Sequence, residues 1–198
     1  MTDGVDNGKR RFLTIAATTG VAAVGAGFAA VPFIASWNPS ARAKAAGAPV
    51  EADFSKLQLG QMMRVEWRGK PVWITHRTEQ NLKDLPTLDD SLRDPTSSVE
   101  SQQPPYAKNA TRAIKPEYSI MVGICTHLGC SPTYRPEIAP DDLGKSWRGG
   151  FFCPCHGSRF DLAGRVYKNV PAPKNLVVPP HMYLSETHVI IGVDEGAA

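Results

Sequence analysis

The longest apolar stretch of the chain lies near its N-terminus, where the 26 residues from Phe12 to Trp37 carry no charge and 18 of them are apolar. About 20 such residues in a helix cross the hydrocarbon core of a bilayer. The pattern therefore predicts a transmembrane anchor over residues 12–37. Small-residue sites at 41–43 and 43–45 leave open that a signal peptidase removes the segment. A buried helix of a soluble core is a further alternative.

Beyond this segment, short β-rich runs are bounded by turn residues, which is typical of an antiparallel all-β domain. The runs span 62–67, 71–76, 118–124, 176–178, 181–184 and 188–193. Residues 77–112 are polar and interrupted by proline, which predicts an insertion with helical turns around 78–85 and 88–93. Residues 38–50 are rich in Ala, Pro and Gly without an apolar period, which is typical of a flexible tether. The sequence thus predicts a head domain over 51–198.

The formal net charge of +3 lies entirely in the N-terminal part of the chain. Residues 1–49 hold five basic and two acidic residues, whereas residues 50–198 hold equal numbers of each. A neutral head gives no compositional support for nucleic-acid binding, because that function needs a basic surface. Three basic residues precede the apolar segment and two follow it, so we expect residues 1–11 in the cytoplasm and the head on the far side.

The junction before the apolar segment, G-K-R-R-F-L-T, resembles the twin-arginine export signal. That signal addresses already folded, often cofactor-loaded, proteins for export across a bacterial inner membrane. The resemblance implies a cell inner-membrane protein with a single span and a periplasmic head.

All four cysteines lie within 31 residues, in two loops that each follow an apolar run. The first loop is C-T-H-L-G-C at residues 125–130, and the second is C-P-C-H-G-S at residues 153–158. Each loop supplies thiolate and imidazole groups, and a glycine in each lets the backbone pass close to a bound group. Four cysteines are too few for a disulfide scaffold in a chain of 198 residues, so the clustering indicates a site.

Several chemistries use thiolates and imidazoles together. A structural zinc site accepts two cysteines and two histidines, although this spacing is unusual and two cysteines are left over. Covalent haem attachment needs C-x-x-C-H and a thioredoxin-like redox pair needs C-x-x-C, and the sequence contains neither motif. Two disulfides would leave both histidines without a role.

The two loops together resemble the paired signature of the Rieske proteins, which hold a [2Fe-2S] cluster with cysteine and histidine ligands. The ligands that this resemblance implies are Cys125 and Cys153 on one iron and His127 and His156 on the other. It also implies a disulfide between Cys130 and Cys155.

The resemblance covers most of the chain. The anchor, the Ala-rich tether, the β head and the later Pro171-Ala172-Pro173 segment are all similar to the Rieske iron-sulfur subunit of ubiquinol-cytochrome c reductase, the respiratory cytochrome bc complex or complex III. This implies an all-β Rieske fold, in which antiparallel sheets carry an inserted cluster-binding subdomain at about residues 119–168, plus one N-terminal transmembrane helix.

The function that the resemblance implies is that of an electron-transfer subunit of an oxidoreductase and translocase. Such a subunit oxidises ubiquinol at the membrane surface and passes the electron to a membrane-bound c-type cytochrome, which contributes to proton translocation. Cytochrome b and the c-type cytochrome are the expected partners, in a dimeric complex. The alternatives are a Rieske subunit of another exported oxidoreductase, such as arsenite oxidase, and a zinc- or disulfide-stabilised binding module.

The resemblance also implies roles for single residues. The histidine that matches His156 accepts a hydrogen bond from quinol, and the serine that matches Ser158 donates one to a bridging sulfide. A second donor, usually tyrosine, is replaced here by Phe160. This predicts a lower redox potential than that of relatives that carry the tyrosine. The proline segment is expected to cover the cluster, with Leu128 on its other side. Residues 131–152 are expected to form a solvated surface loop, with docking to the partner cytochrome as the alternative. The remaining histidines, His76, His181 and His188, are expected at the surface.

Overall fold

The computed structural model describes Gly4 and residues 6–194, so parts of the predicted N-terminal segment 1–11 and of the predicted head 51–198 lie outside the described residues. The chain divides into two units, Met1–Ala45 and Ala46–Ala198. A short helix, α2 (Ala41–Ala46), lies within the predicted tether.

The N-terminal unit contains one long helix, α1 (Asn7–Ala35). It begins after Asp6, whose side chain accepts hydrogen bonds from the backbone N–H groups of Gly8 and Lys9. At a rise of about 1.5 Å per residue, the helix is about 44 Å long, which exceeds the hydrocarbon core of roughly 30 Å. Among the described residues it is the one helix that is long and apolar enough to cross a membrane. None of its residues is buried, which argues against the alternative of a core helix in a soluble protein.

The second unit is built from three antiparallel sheets of three strands each. The first sheet has the order β1-β9-β8, the second β2-β3-β4 and the third β5-β6-β7. The strands are β1 (Val50–Asp53), β2 (Met62–Trp67), β3 (Lys70–His76), β4 (Tyr118–Val122), β5 (Thr133–Ile138), β6 (Arg148–Cys153), β7 (Ser158–Asp161), β8 (His181–Tyr183) and β9 (His188–Ile191). The predicted all-β class with antiparallel pairing is confirmed.

Strands β2 and β3 form a tight hairpin because a two-residue turn, Arg68-Gly69, connects them. Both turn residues have positive φ, at 52° and 69°. Turns with positive φ at both central positions match the twist of the strands that they join, and glycine adopts that conformation without strain.

The second sheet is the middle layer of this unit. Side chains of a strand alternate between its two faces. In β3, Val72 and Ile74 face a core shared with β1 and β9, whereas Trp73 faces a core shared with the third sheet. In β4, Ile120 lies in the first of these cores and Met121 in the second. The third sheet is thereby packed on a strand pair that is buried on both faces.

The predicted insertion leaves the second sheet between β3 and β4. It opens with α3 (Glu79–Asp84), which begins at a capping box formed by Thr78 and Asn81. Three 3-10 turns follow, at Leu85–Ser91, Glu100–Gln102 and Pro105–Ala107. The insertion therefore contains the helical turns that its sequence predicts.

Three buried arginines, Arg77, Arg112 and Arg165, fix the insertion to the turn that follows β7. Nε of Arg165 donates to the carboxylate of buried Asp161 at 2.7 Å. Arg77 and Arg112 donate mainly to backbone carbonyl oxygens in the insertion and in that turn. Burial lowers the pKa of both guanidinium groups to about 10.

The segment 131–152 was expected to be a solvated loop; it is exposed over much of β5, as expected, but it forms two strands and is not a loop. Strand β5 and most of β6 lie within it, and the side chains of Leu143 and Trp147 are buried. Trp147 stacks on Tyr167 at 5.9 Å between ring centroids, and its Nε1 donates to the Arg135 carbonyl at 3.1 Å. The charged and proline residues of β5 and the two glycines of β6 conceal these strands, because they interrupt the apolar alternation.

Two smaller expectations are also wrong. Residues 176–178 do not form a strand, although the N–H of Val178 donates to the carbonyl of Gln102 in the insertion. His181, expected at the surface, is buried with 2% exposure, and its Nδ1 lies 2.8 Å from the carbonyl of Pro179. The hydrogen bond to that carbonyl compensates for burying the ring.

Candidate metal centre

The first site loop follows β4 and is closed by its own backbone. The N–H of Cys125 donates to the carbonyl of Cys130 at 2.8 Å, and the N–H of Gly129 donates to the carbonyl of Cys125 at 3.1 Å. Gly129 has φ +85°, a left-handed conformation that favours glycine. Within this turn Cys125 is buried, His127 is partly buried and Leu128 is exposed. The loop therefore directs its first cysteine inwards and its leucine towards solvent.

The second site loop connects β6 to β7. Cys153 ends β6 and pairs across the sheet with Ser158, which begins β7. The N–H of Gly157, with φ +75°, donates to the carbonyl of Cys153 at 2.9 Å. Cys153 is buried and His156 is exposed. The second loop thus repeats the arrangement of the first, with a buried cysteine and a more accessible histidine.

A disulfide between Cys130 and Cys155 joins the two loops. The sulfur atoms of these two residues and of Cys153 lie within 4.8 Å of one another. Because the two bonded sulfurs cannot act as thiolates, Cys153 is the residue of this group that can bind a metal ion.

The two remaining thiols, Cys125 and Cys153, are free and buried. They belong to one buried core, and burial, together with the neighbouring Cys125, raises the pKa of the Cys153 thiol. Two buried thiols of this kind can serve as metal ligands, because a bound metal ion stabilises their thiolate form.

The two histidines meet between the loops. The rings of His127 and His156 have centroids 4.7 Å apart and are nearly perpendicular, at 88°. Nδ1 of His127 is buried and has no hydrogen-bond partner. A buried polar atom without a partner is costly, and a metal ion bound to this nitrogen would satisfy it. The donor set of two thiols and two imidazoles fits the [2Fe-2S] cluster that the sequence predicts.

A third segment, residues 171–174, contacts both loops. The N–H of Ala172 donates to the hydroxyl of Ser158 at 3.1 Å, and both residues are fully buried. The hydroxyl of Thr126 in the first loop donates to the carbonyl of Lys174 at 2.6 Å. Ser158 accepts a hydrogen bond in this arrangement, so its own hydroxyl proton stays available for a further acceptor.

Phe160 lies in β7 directly opposite Phe151 of β6. Both rings are fully buried, in the same core as Cys125 and Cys153. Phe160 therefore occupies a position beside the site but carries no hydroxyl group with which to donate a hydrogen bond.

Sequence reasoning found the residues of the two loops but missed their supports. The bond from Thr126 to the backbone of Lys174 has no signal in the sequence, since a carbonyl group belongs to every residue. The sequence does carry one signal for the buried pair of Asp161 and Arg165, because opposite charges four residues apart can form an ion pair. The same spacing is common on solvated surfaces, and charged residues are rarely buried unless they are paired, so the spacing alone does not indicate that this pair is buried.

Comparison with known proteins places the chain among iron-sulfur proteins. Residues 1–40 match a family model described as "Ubiquitinol-cytochrome C reductase Fe-S subunit TAT signal", and residues 49–180 match the model of the Rieske [2Fe-2S] domain. The ubiquinol-cytochrome c reductase iron-sulfur subunit of Allochromatium vinosum is 66% identical over 195 residues, which cover 98% of this chain and 93% of that relative. The subunit of the same name from Rhodospirillum rubrum is 42% identical, over 96% of this chain and 95% of the relative.

Among solved structures, a chain of a hyperthermophilic respiratory complex III is 26% identical, with a TM-score of 0.47. The match covers 89% of this chain and 97% of that one.

Proposed function

Because the chain belongs to the Rieske iron-sulfur subunits of ubiquinol-cytochrome c reductase, we propose that it is the electron-transfer subunit of such an oxidoreductase complex. It takes electrons from ubiquinol at the membrane surface and passes them to a membrane-bound c-type cytochrome. The observation that carries this proposal is the pair of disulfide-joined loops, which bring two buried free thiols and two neighbouring imidazoles together.

Four side chains would hold the [2Fe-2S] cluster: Cys125, His127, Cys153 and His156. When bound, a cluster with two histidine ligands supplies one-electron chemistry at about −150 to +300 mV, far above the roughly −400 mV of plant-type ferredoxins. His127 offers its buried Nδ1 as a ligand atom. The disulfide holds the two loops at a fixed separation, and it requires an oxidising compartment.

His156 is the residue that we expect to meet the quinol. It is exposed, whereas the two free cysteines are buried. A ring nitrogen of His156 that is not used as a ligand can accept the hydrogen bond of a quinol hydroxyl and then hold its proton. Leu128, 72% exposed in the neighbouring loop, offers an apolar contact beside it. Substrate would thus approach the histidine side of the site.

The opposite side of the site excludes water. Ser158 and Ala172 are fully buried and hydrogen-bonded to each other, so the segment 171–173 closes over the second loop. Ser158 keeps one hydroxyl proton that it can donate to a sulfur of the cluster. Such a donor favours the more negative, reduced state and raises the potential.

The expected setting of this chemistry is a bacterial inner membrane. α1 would span it once, residues 1–11 would lie in the cytoplasm, and the head would lie in the periplasm, where the disulfide between Cys130 and Cys155 is stable. Cytochrome b and a membrane-bound c-type cytochrome would be the partners, in a dimeric complex. Residues 38–50 would act as the tether between anchor and head.

Purification of the native membrane complex tests this proposal. We expect the chain to co-purify with cytochrome b and a c-type cytochrome, and the complex to reduce cytochrome c with ubiquinol. Purification with another oxidoreductase in place of cytochrome b would contradict it.

Replacement of His156 tests the role of that residue. We expect His156→Gln to abolish ubiquinol oxidation, whereas His188→Gln, a matched change at a half-buried histidine of β9, should leave it intact. A His156 variant that retains both cluster and ubiquinol oxidation would refute the assignment.

A further inference from the structure

Trp73 occupies the interface between the middle sheet and the third sheet. It lies in β3 with 2% exposure, on the face opposite Val72 and Ile74. It belongs to the same buried core as both free cysteines, Cys125 and Cys153. The indole therefore lies in the core that also contains the two free thiols of the metal centre.

The first contact of this ring is with the segment that leads into the first loop. Gly123 lies two residues before Cys125, and a Cβ atom added to it would overlap Cε2, Cζ2 and Nε1 of Trp73. The indole is thus seated directly on the backbone of Gly123. The N–H of Gly123 donates to the carbonyl of Pro71 in β3 at 2.8 Å, which holds that backbone against the strand that carries the indole.

The second contact is with the strand that leads into the second loop. Phe151 lies two residues before Cys153 in β6, and its ring stacks on Trp73 with centroids 4.8 Å apart and planes at 15°. Residues two apart in a strand point to the same face, so Phe151 and Cys153 both face the core that contains Trp73. The indole touches the chain two residues before each free cysteine.

We propose that Trp73 is a positioning residue that sets the separation of Cys125 and Cys153. A rigid aromatic side chain with few rotamers fixes two backbones more precisely than a flexible aliphatic one. The inference rests on the proposed binding of a cluster by these cysteines, and it adds a determinant that lies outside both loops.

Trp67 provides a matched control because it makes the same kind of contact elsewhere. It is also a buried tryptophan seated on a glycine, since a Cβ added to Gly192 would meet its indole. Trp67 belongs to the core between the first and second sheets, which contains neither free cysteine. Substitution of either tryptophan removes a large buried side chain, but only that of Trp73 should alter the metal centre.

The experiment compares Trp73→Leu with Trp67→Leu in the full chain loaded with its cluster. We expect the rate of cluster loss below the unfolding temperature to rise about tenfold for Trp73→Leu, the order typical of residues that support metal ligands. Its electron paramagnetic resonance g-values should also shift. Trp67→Leu should lower the free energy of unfolding while leaving both properties unchanged. Equal rates of cluster loss and unchanged spectra in the two variants would overturn the proposal.

A second pair of variants tests the contact between Trp73 and Gly123 independently of Trp73→Leu. Gly123 has no positive φ, and the three atoms nearest to an added Cβ all belong to the indole, so Gly123→Ala perturbs the contact with Trp73. We expect it to shift the g-values, and we expect the double variant with Trp73→Phe to restore them, because phenylalanine lacks the ring atoms that Cβ would meet. A silent Gly123→Ala, or a double variant as perturbed as the single one, would contradict the role of Trp73.

Thiol oxidation in metal-free protein separates this inference from the proposed function. Diamide takes two electrons and two protons from Cys125 and Cys153 and leaves a disulfide between them. We expect this oxidation to be slower in Trp73→Leu than in the wild type and in Trp67→Leu, because the thiols are less well aligned. Equal rates would overturn the positioning role, whereas a wild-type chain that never contains iron would overturn the proposed function alone.

Discussion

Phe160→Tyr tests how the surroundings of the metal centre set its potential. Phe160 is fully buried and shares a core with Cys125 and Cys153. The family resemblance places a tyrosine at this position, with a hydroxyl that donates to sulfur. A donor at a sulfur favours the reduced state, because that state carries one more negative charge.

The expected size of the effect follows from the burial of the ring. A net hydrogen bond contributes about 1 to 1.5 kcal/mol, and a side chain with no exposure has no water to compete for it. If the bond strengthens by that amount on reduction, the midpoint potential of a one-electron couple rises by about 45 to 65 mV. The added oxygen also overpacks the core, which should lower the free energy of unfolding by about 1 to 3 kcal/mol.

Redox titration monitored by electron paramagnetic resonance measures the change. The matched control is Phe152→Tyr. Phe152 lies in β6 beside Phe151, is half-buried, and points to the face of the third sheet opposite Phe151 and Phe160. We expect the control to keep the wild-type midpoint. An unchanged or lowered midpoint in a Phe160→Tyr variant with an intact cluster would show that a hydroxyl group at this position does not raise the potential.

Three further predictions concern stability. Cys130→Ser removes a disulfide that spans 25 positions of sequence. The free energy of unfolding should fall by about 3 kcal/mol, and the iron content should drop. Equal iron content and thermal stability would count against a role for the bridge. Arg165→Met leaves the buried carboxylate of Asp161 without its cation. Denaturant unfolding should show that the free energy of unfolding falls by about 3 to 5 kcal/mol. The control Arg64→Met, at an exposed position, should lower it by less than about 0.5 kcal/mol. A small loss for Arg165→Met would show that the ion pair does not hold the insertion. Burial lowers the pKa of His181 from its ordinary 6.5, so below pH 6.5 the unfolded chain takes up a proton that the folded head does not. Stability should therefore fall as the pH drops from 6.5 towards the lowered pKa, by up to about 1.4 kcal/mol per pH unit. His181→Asn should flatten this part of the profile, and an unchanged slope would contradict the assignment.

The candidate site could be predicted from the sequence because its chemistry is local. Each loop places cysteine, histidine and glycine within six consecutive positions, so the motif is legible without knowledge of the fold. The β class was also predictable, since β2, β3 and β4 carry apolar runs bounded by turn residues. Element type is set by such short-range patterns.

The supports of the site could not be predicted, because they depend on how sheets pack. Trp73 is an ordinary strand residue in the sequence. Its contact with Gly123 depends on the pairing of β3 with β4, and its contact with Phe151 arises only when the second and third sheets stack. Buried Arg112 looks like a surface residue in the sequence, because one of its partners is the backbone carbonyl of Ala163, 51 residues further along the chain. Strand β6 was hidden by its two glycines, one of which lies where a Cβ would overlap the backbone of β7.

Electron paramagnetic resonance of the reduced, purified protein, together with its metal and sulfide content, tests the central claim most directly. We expect two iron and two sulfide per chain and nitrogen couplings from two histidine ligands. One zinc per chain, with no iron and no paramagnetic signal after reduction, would contradict it.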